Sequence, residues 1–77
     1  MALVVFRLKT EFIELDNLLK AANLVENGAR AKEYILSDAV FVNGQVERRI
    51  RRKLRPGDSV VLGAQTVDII AQGGEHA

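Results

Sequence analysis

Asn43-Gly44, set between Val40-Phe41-Val42 and Gln45-Val46, constrains this chain more than any other pair of residues in it. A two-residue type I′ turn needs φ > 0 at both central positions, and asparagine followed by glycine meets that demand with little strain. The two flanking β-forming runs are therefore predicted to lie antiparallel as a hairpin. A lone hairpin is marginal in water, so another layer has to cover one of its faces.

That layer precedes the hairpin. Leu15, Leu18, Leu19 and Ala22 recur at i, i+3, i+4, i+7 and form one stripe of a helix. Glu14 and Asp16 lie near its start and Lys20 in its last half, which suits the helix dipole. Asn23 reads as its stop, with Leu24 packing back. Asn27 caps a second helix that starts at Gly28, turns Ala31, Tyr34 and Ile35 inward, and ends at Ser37-Asp38. Leu3-Val4-Val5-Phe6 reads as a strand before the helices. Ser59 to Leu62 and Thr66 to Ile70 read as strands after them, joined at Gly63-Ala64 and preceded by a Pro56-Gly57 turn. Neither helix is long enough to be stable alone, so the pair must pack on the sheet. The expected class is α+β: two short helices on a small, mainly antiparallel sheet. With 77 residues the chain is one domain, 1–71, followed by a flexible tail, 72–77. Such a domain buries only about 60% of its unfolded surface, leaving little room for a deep substrate cavity.

Several function classes drop out. There is no cysteine, so no disulfide scaffold, thiolate metal site or thiol nucleophile can be built. The single histidine, His76, lies in the tail, so no metal set can be assembled and no cofactor is expected. Ser37 and Ser59 have no histidine partner in the folded part. Glu14 and Asp16, two apart, face different sides of a helix. The chain therefore reads as non-catalytic. Met1 to Phe6 is apolar but too short for a signal or a span, and charges at Arg7, Lys9 and Glu11 interrupt the stretch; no other segment approaches the roughly 20 apolar residues a span requires. The expected location is the cytoplasm, with no membrane partner.

The net charge of +1 is uninformative, but its distribution is not. Of eleven Lys and Arg residues, six fall between Arg48 and Arg55, namely Arg48, Arg49, Arg51, Arg52, Lys53 and Arg55, with no acid inside the run. The acids are scattered over the rest of the chain, so the field is local. In an extended backbone Arg49, Arg51, Lys53 and Arg55 would share one face. In a helix Ile50 and Leu54 would align at i, i+4. Either way these two apolar residues anchor a cationic segment. Arginine, five of the six, offers a planar fork for phosphate. The bland alternative is a solvated loop of generic charge. A second group, Asn27-Gly28-Ala29-Arg30-Ala31-Lys32, puts Arg30 and Lys32 by a helix start, where N–H groups and dipole favour an anion. Against it, these two cations can simply face solvent or Glu26 and Glu33. Tyr34 could stack on a base, but its helical spacing with Ala31 and Ile35 favours the core.

Taken together, Ile13-Glu14-Leu15-Asp16, Leu18-Leu19, Gly28-Ala29-Arg30-Ala31-Lys32, Ile35, Val40-Phe41-Val42-Asn43-Gly44, Arg49 through Leu54, and Gly57-Asp58 with Val60 resemble an S4 RNA-binding domain. The resemblance is to the stand-alone S4-like bacterial proteins of the YbcJ type and covers roughly residues 12 to 70. It implies an α-L fold with an RNA surface made by the start of the second helix and the basic loop. It points to Arg30 and Lys32 and to Arg49, Arg51, Arg52 and Lys53; Arg48 and Arg55 extend the same run. Asp38 stands where the family often has glycine, so the turn there must accept φ near or above zero.

The expected function is recognition of structured RNA, ribosomal or transfer, through phosphate contacts by a monomer. Two alternatives stand beside it: a non-specific DNA binder, since the same charges attract any polyanion, and a ubiquitin-like sulfur carrier acting through Gly73-Gly74, which would require removal of Glu75-His76-Ala77.

Overall fold

The earliest and the latest strands of the chain lie side by side and parallel. In the computed structural model, which describes residues 2–72, β1 (Ala2–Leu8) pairs with β7 (Gln65–Ala71) along its whole length, from Ala2 opposite Gln65 to Leu8 opposite Ala71. Between them come β2 (Ile13–Glu14), α1 (Leu15–Ala21), α2 (Gly28–Leu36), β3 (Val40–Val42), β4 (Gln45–Val46), β5 (Lys53–Leu54) and β6 (Ser59–Leu62). The main sheet runs β1-β7-β6-β3-β4, and every pairing in it except β1 with β7 is antiparallel. β2 and β5 form a separate antiparallel pair. Two helices on a mainly antiparallel sheet is the α+β arrangement expected from the sequence. The β2–β5 pair was not, because two-residue strands have no periodicity to read.

Period-two alternation sorts the sheet residues. Val40, Val42, Val60, Val67 and Ile69 are buried and meet Leu15, Leu18 and Leu19 of α1 and Ala31 and Ile35 of α2, with Leu8 and Leu54 closing the core. The helical stripe and the sheet face are thus halves of one apolar cluster. Ala22 and Tyr34, expected inward, are half-buried and packed against it. The other sheet face carries Leu3, Thr66, Val61, Phe41 and Val46 in one register row, and no layer of the described residues covers it.

The backbone exceptions fall where the sequence demanded them. Asn43 and Gly44 have φ of 53° and 85°, both positive as a type I′ turn requires. Asn23, at the end of α1, has φ 61°, and the Leu24 N–H reaches back to the Leu19 carbonyl. Asp38 has φ 65°, the left-handed conformation in which glycine would be unstrained.

The Gln72 N–H donates to the Leu8 carbonyl at 3.0 Å, tying Gln72 to β1. The readings of Gly73-Gly74 as a processed end and of His76 as a tail residue lie outside the described residues.

Candidate nucleic-acid interface

The basic run is neither a continuous strand nor a helix. It turns between Arg49 and Arg52, where the Arg52 N–H donates to the Arg49 carbonyl at 3.2 Å, and only Lys53-Leu54 is extended. The single-face alignment of Arg49, Arg51, Lys53 and Arg55 therefore does not form, because a turn breaks the alternation. The two apolar anchors do hold: Leu54 is fully buried and Ile50 packs on the core.

Those anchors bring the loop backbone to the start of α1. The Leu15 N–H donates to the Arg52 carbonyl at 2.9 Å, and the Asp16 N–H to the Ile50 carbonyl at 3.0 Å. Helix starts leave such N–H groups without intrahelical partners. Glu14, at the cap position, makes no side-chain cap bond. Loop carbonyls from far downstream in the chain do the capping instead, so the loop's conformation and the helix's first turn depend on each other.

The sequence suggested a run without internal counter-charge. The fold corrects this by supplying acids from its flanks. Glu47, 7% exposed, accepts from the Arg49 N–H and guanidinium and from Arg52 Nη1, at 2.8 to 3.1 Å. The Arg49 guanidinium bonds, with the Arg49 N–H and Arg52 adding to them, outweigh the desolvation that opposes them and hold the Glu47 carboxyl down to about 2. Arg48 grips Asp38 through two parallel bonds, Nε to Oδ1 at 2.6 Å and Nη2 to Oδ2 at 2.7 Å, which lowers the Asp38 pKa and raises that of Arg48. Lys53 and Arg55 lie over the Phe12 ring, 4.9 and 5.8 Å from its centroid, within cation–π range. Arg51 is exposed and makes no ion pair with another described residue.

The loop closes on the hairpin through Asn43 and Asp58. Asn43 Nδ2 donates to Asp58 Oδ1 at 3.0 Å, while Asn43 Oδ1 accepts the Ser59 N–H at 2.9 Å. Asp58 Oδ2 accepts the Arg55 N–H at 2.8 Å. Burial pushes the Asp58 carboxyl up, but the bonds from Arg55 and Asn43 and the nearby charges of Arg52 and Arg55 leave it below its ordinary value. Asn43 therefore shapes the turn with its backbone and clamps the next turn with its side chain.

At the start of α2, the Asn27 side chain accepts the Arg30 N–H at 2.9 Å, the cap expected from the sequence. Arg30 pairs with Glu33 at 3.1 Å and lies 5.6 Å from the Tyr34 centroid. Lys32 is exposed and makes no ion pair with another described residue. Lys20, expected only to suit the α1 dipole, comes next to this group: its Nζ is 3.9 Å from where a Cβ on Gly28 would sit. Residues 20 and 28 are brought together by the left-handed Asn23 turn, which sequence spacing does not reveal.

The two cationic groups occupy opposite ends of the helical layer. The loop touches the first turn of α1 and, through Arg48 and Asp38, the residue pair after α2. Lys20 and Arg30 line the corner where α1 ends and α2 begins, and Lys32 lies further along α2 on the other side of the buried Ala31. A nine-residue helix is about 13 Å long, which sets the separation.

A family model described as the S4 domain matches residues 6–70. The chain belongs to the S4 domain family. Among its relatives are the protein named "Putative RNA-binding protein YbcJ" of Escherichia coli, 38% identical over 63 residues that span 82% of this chain and 90% of that one, and the protein named "Probable ribosome maturation protein RlbA" of Bacillus subtilis, 38% identical over 53 residues that span 69% and 75%. The solution structure of E. coli YbcJ, described as having an alpha-L motif involved in RNA binding, aligns with a TM-score of 0.70 over 88% of this chain and 87% of that one. The S4 fold inferred from scattered short motifs is thus shown for this chain. Among the described residues there is no group of three His, Cys, Asp or Glu side chains that could hold a metal ion, and no helix is long and apolar enough to cross a membrane.

Proposed function

We propose that this chain is a non-catalytic RNA-binding protein that grips a structured RNA, ribosomal or transfer, as a cytoplasmic monomer. The observation that carries the reading is a cationic loop held rigid from within. Its backbone caps α1, its acids are buried or paired, and Arg51, Lys53 and Arg55 remain for an outside anion. Ordering the loop backbone before binding reduces the entropy lost on association. The second group, Arg30 and Lys32 beside Asn27 and Gly28, lies about one helix length away and gives a two-point grip. Such a grip suits the backbone of a folded RNA, which proteins read by shape and phosphate position. Membership of the S4 family, and the names of relatives linked to RNA binding and ribosome maturation, support the same reading.

Non-specific DNA binding draws on the same charges, so the test includes DNA. Fluorescence anisotropy of a structured RNA hairpin is followed over a range of salt, with a DNA duplex of matched length as competitor. The expected result is preference for RNA, with log affinity falling against log salt by roughly 0.7–0.9 per phosphate contacted, over about three to six contacts. Equal competition by DNA overturns the RNA assignment. Absence of binding at low salt overturns the nucleic-acid reading altogether.

A further inference from the structure

A concavity lies at the corner where α1 passes into α2, away from the basic loop. Its volume is about 350 Å³, and Lys20, Asn23, Leu24, Glu26, Arg30 and Tyr34 are among its lining residues. Sites for small ligands start at roughly 300 Å³, so the cleft is sized for one nucleotide and far too small for a duplex.

Three features of the lining suit a nucleotide. The Arg30 guanidinium lies 5.6 Å from the Tyr34 ring centroid. Its side chain is 51% exposed, so a further planar ring can stack against the pair. Lys20 lies beside Gly28 and makes no ion pair with another described residue, which leaves its ammonium for a phosphate. Asn23 and Glu26 put hydrogen-bond acceptors on the wall, the complement of an exocyclic amine on a base. Stacking on aromatic rings and guanidinium planes is how proteins hold bases that have left the helix.

We infer that the cleft between α1 and α2 receives a single unpaired nucleotide of the bound RNA, its base on the Arg30–Tyr34 pair and its phosphate at Lys20. The inference rests on the proposed RNA binding and deepens it. The basic loop would read the paired backbone, and the corner would read a bulge or loop nucleotide, which makes recognition sensitive to an interruption in the duplex.

Tyr34 is the only tyrosine in the chain, so protein grown with fluorotyrosine gives one fluorine resonance from the cleft. Two blunt-ended RNA duplexes with no hairpin loop are compared, identical except that one carries a single bulged adenosine. Binding is followed by anisotropy on the same samples. The bulged duplex is expected to bind roughly tenfold more tightly and to move the fluorine resonance clearly further than the fully paired duplex does. Lys20→Ala is expected to weaken the bulged complex several-fold more than the paired one, and equal losses would overturn the placement of the phosphate at Lys20. A resonance that stays fixed with both RNAs while anisotropy registers binding overturns the cleft assignment and leaves the RNA-binding function standing. Equal shifts with both RNAs also overturn it, since no unpaired nucleotide is then needed. If neither RNA binds, the cleft assignment and the function fall together.

Discussion

The Arg52 guanidinium meets the Glu47 carboxylate at 2.8 Å, and Glu47 is the only buried charged residue among those described. A negative charge beside a surface meant for RNA is unfavourable in simple electrostatic terms. Its place makes sense if it fixes the loop. Glu47→Gln separates the two effects. By charge alone the substitution should strengthen RNA binding; by loss of loop order it should weaken it. We expect a weaker complex in the anisotropy titration, with unfolding stability lowered by about 1–3 kcal/mol in urea. Tighter binding by the variant would mean that the carboxylate only subtracts charge.

The same residue sets an acid limit. The folded-state pKa of Glu47 is about 2, below the ordinary 4.5. The unfolded chain therefore takes up the proton first. Its contribution to stability is fully present above about pH 4.5 and is lost as the pH falls towards 2. Asp38 and Asp58 shift in the same direction. Melting temperature measured from pH 6 to 2 should fall over that window, and less steeply in Glu47→Gln than in the wild type.

Charge placement is separable from charge amount. Lys32→Ala removes one positive charge in the middle of α2, and Thr66→Glu adds one negative charge on the uncovered face of the sheet. The net change is equal. Lys32→Ala should weaken RNA binding several-fold and flatten the salt slope by roughly 0.7–0.9, while Thr66→Glu leaves both nearly unchanged. Equal losses would indicate bulk attraction.

Asn43 does two things that two substitutions pull apart. Asn43→Gly keeps the positive φ and removes both side-chain bonds, to Asp58 and to the Ser59 N–H. A loss of about 1–2 kcal/mol is expected from two partly exposed hydrogen bonds. Asn43→Ala adds the strain of a left-handed alanine, about 1 kcal/mol more. Urea denaturation that ranks alanine above glycine in stability would contradict the turn assignment.

Much of this was legible in the sequence because it depended on neighbours. The Asn43-Gly44 turn, the Asn27 cap and the Leu15, Leu18, Leu19 stripe are each set by spacing within a few residues. The left-handed Asp38 followed from its place in the family pattern. The features that were not legible depend on contacts across the fold. Glu47 directly precedes the basic run, yet its burial is decided by how the loop meets the core. Asp38 partners Arg48 from ten positions away. Lys20 reaches Gly28 only after the chain has turned at Asn23. Reading the run as extended or helical therefore missed the turn between Arg49 and Arg52 that shapes it.

The parallel ladder between β1 and β7 has a consequence for how the molecule comes into being. The helices and the β3–β4 hairpin are stitched by short-range contacts and can appear early. The opening strand has no partner in the sheet until residues 65–71 exist. Its seven residues therefore depend for their pairing on a strand far away in sequence, a long-range closure of the kind that slows folding. Amide exchange should find β1 the last segment protected during refolding, so this strand acts as a latch on a structure otherwise assembled.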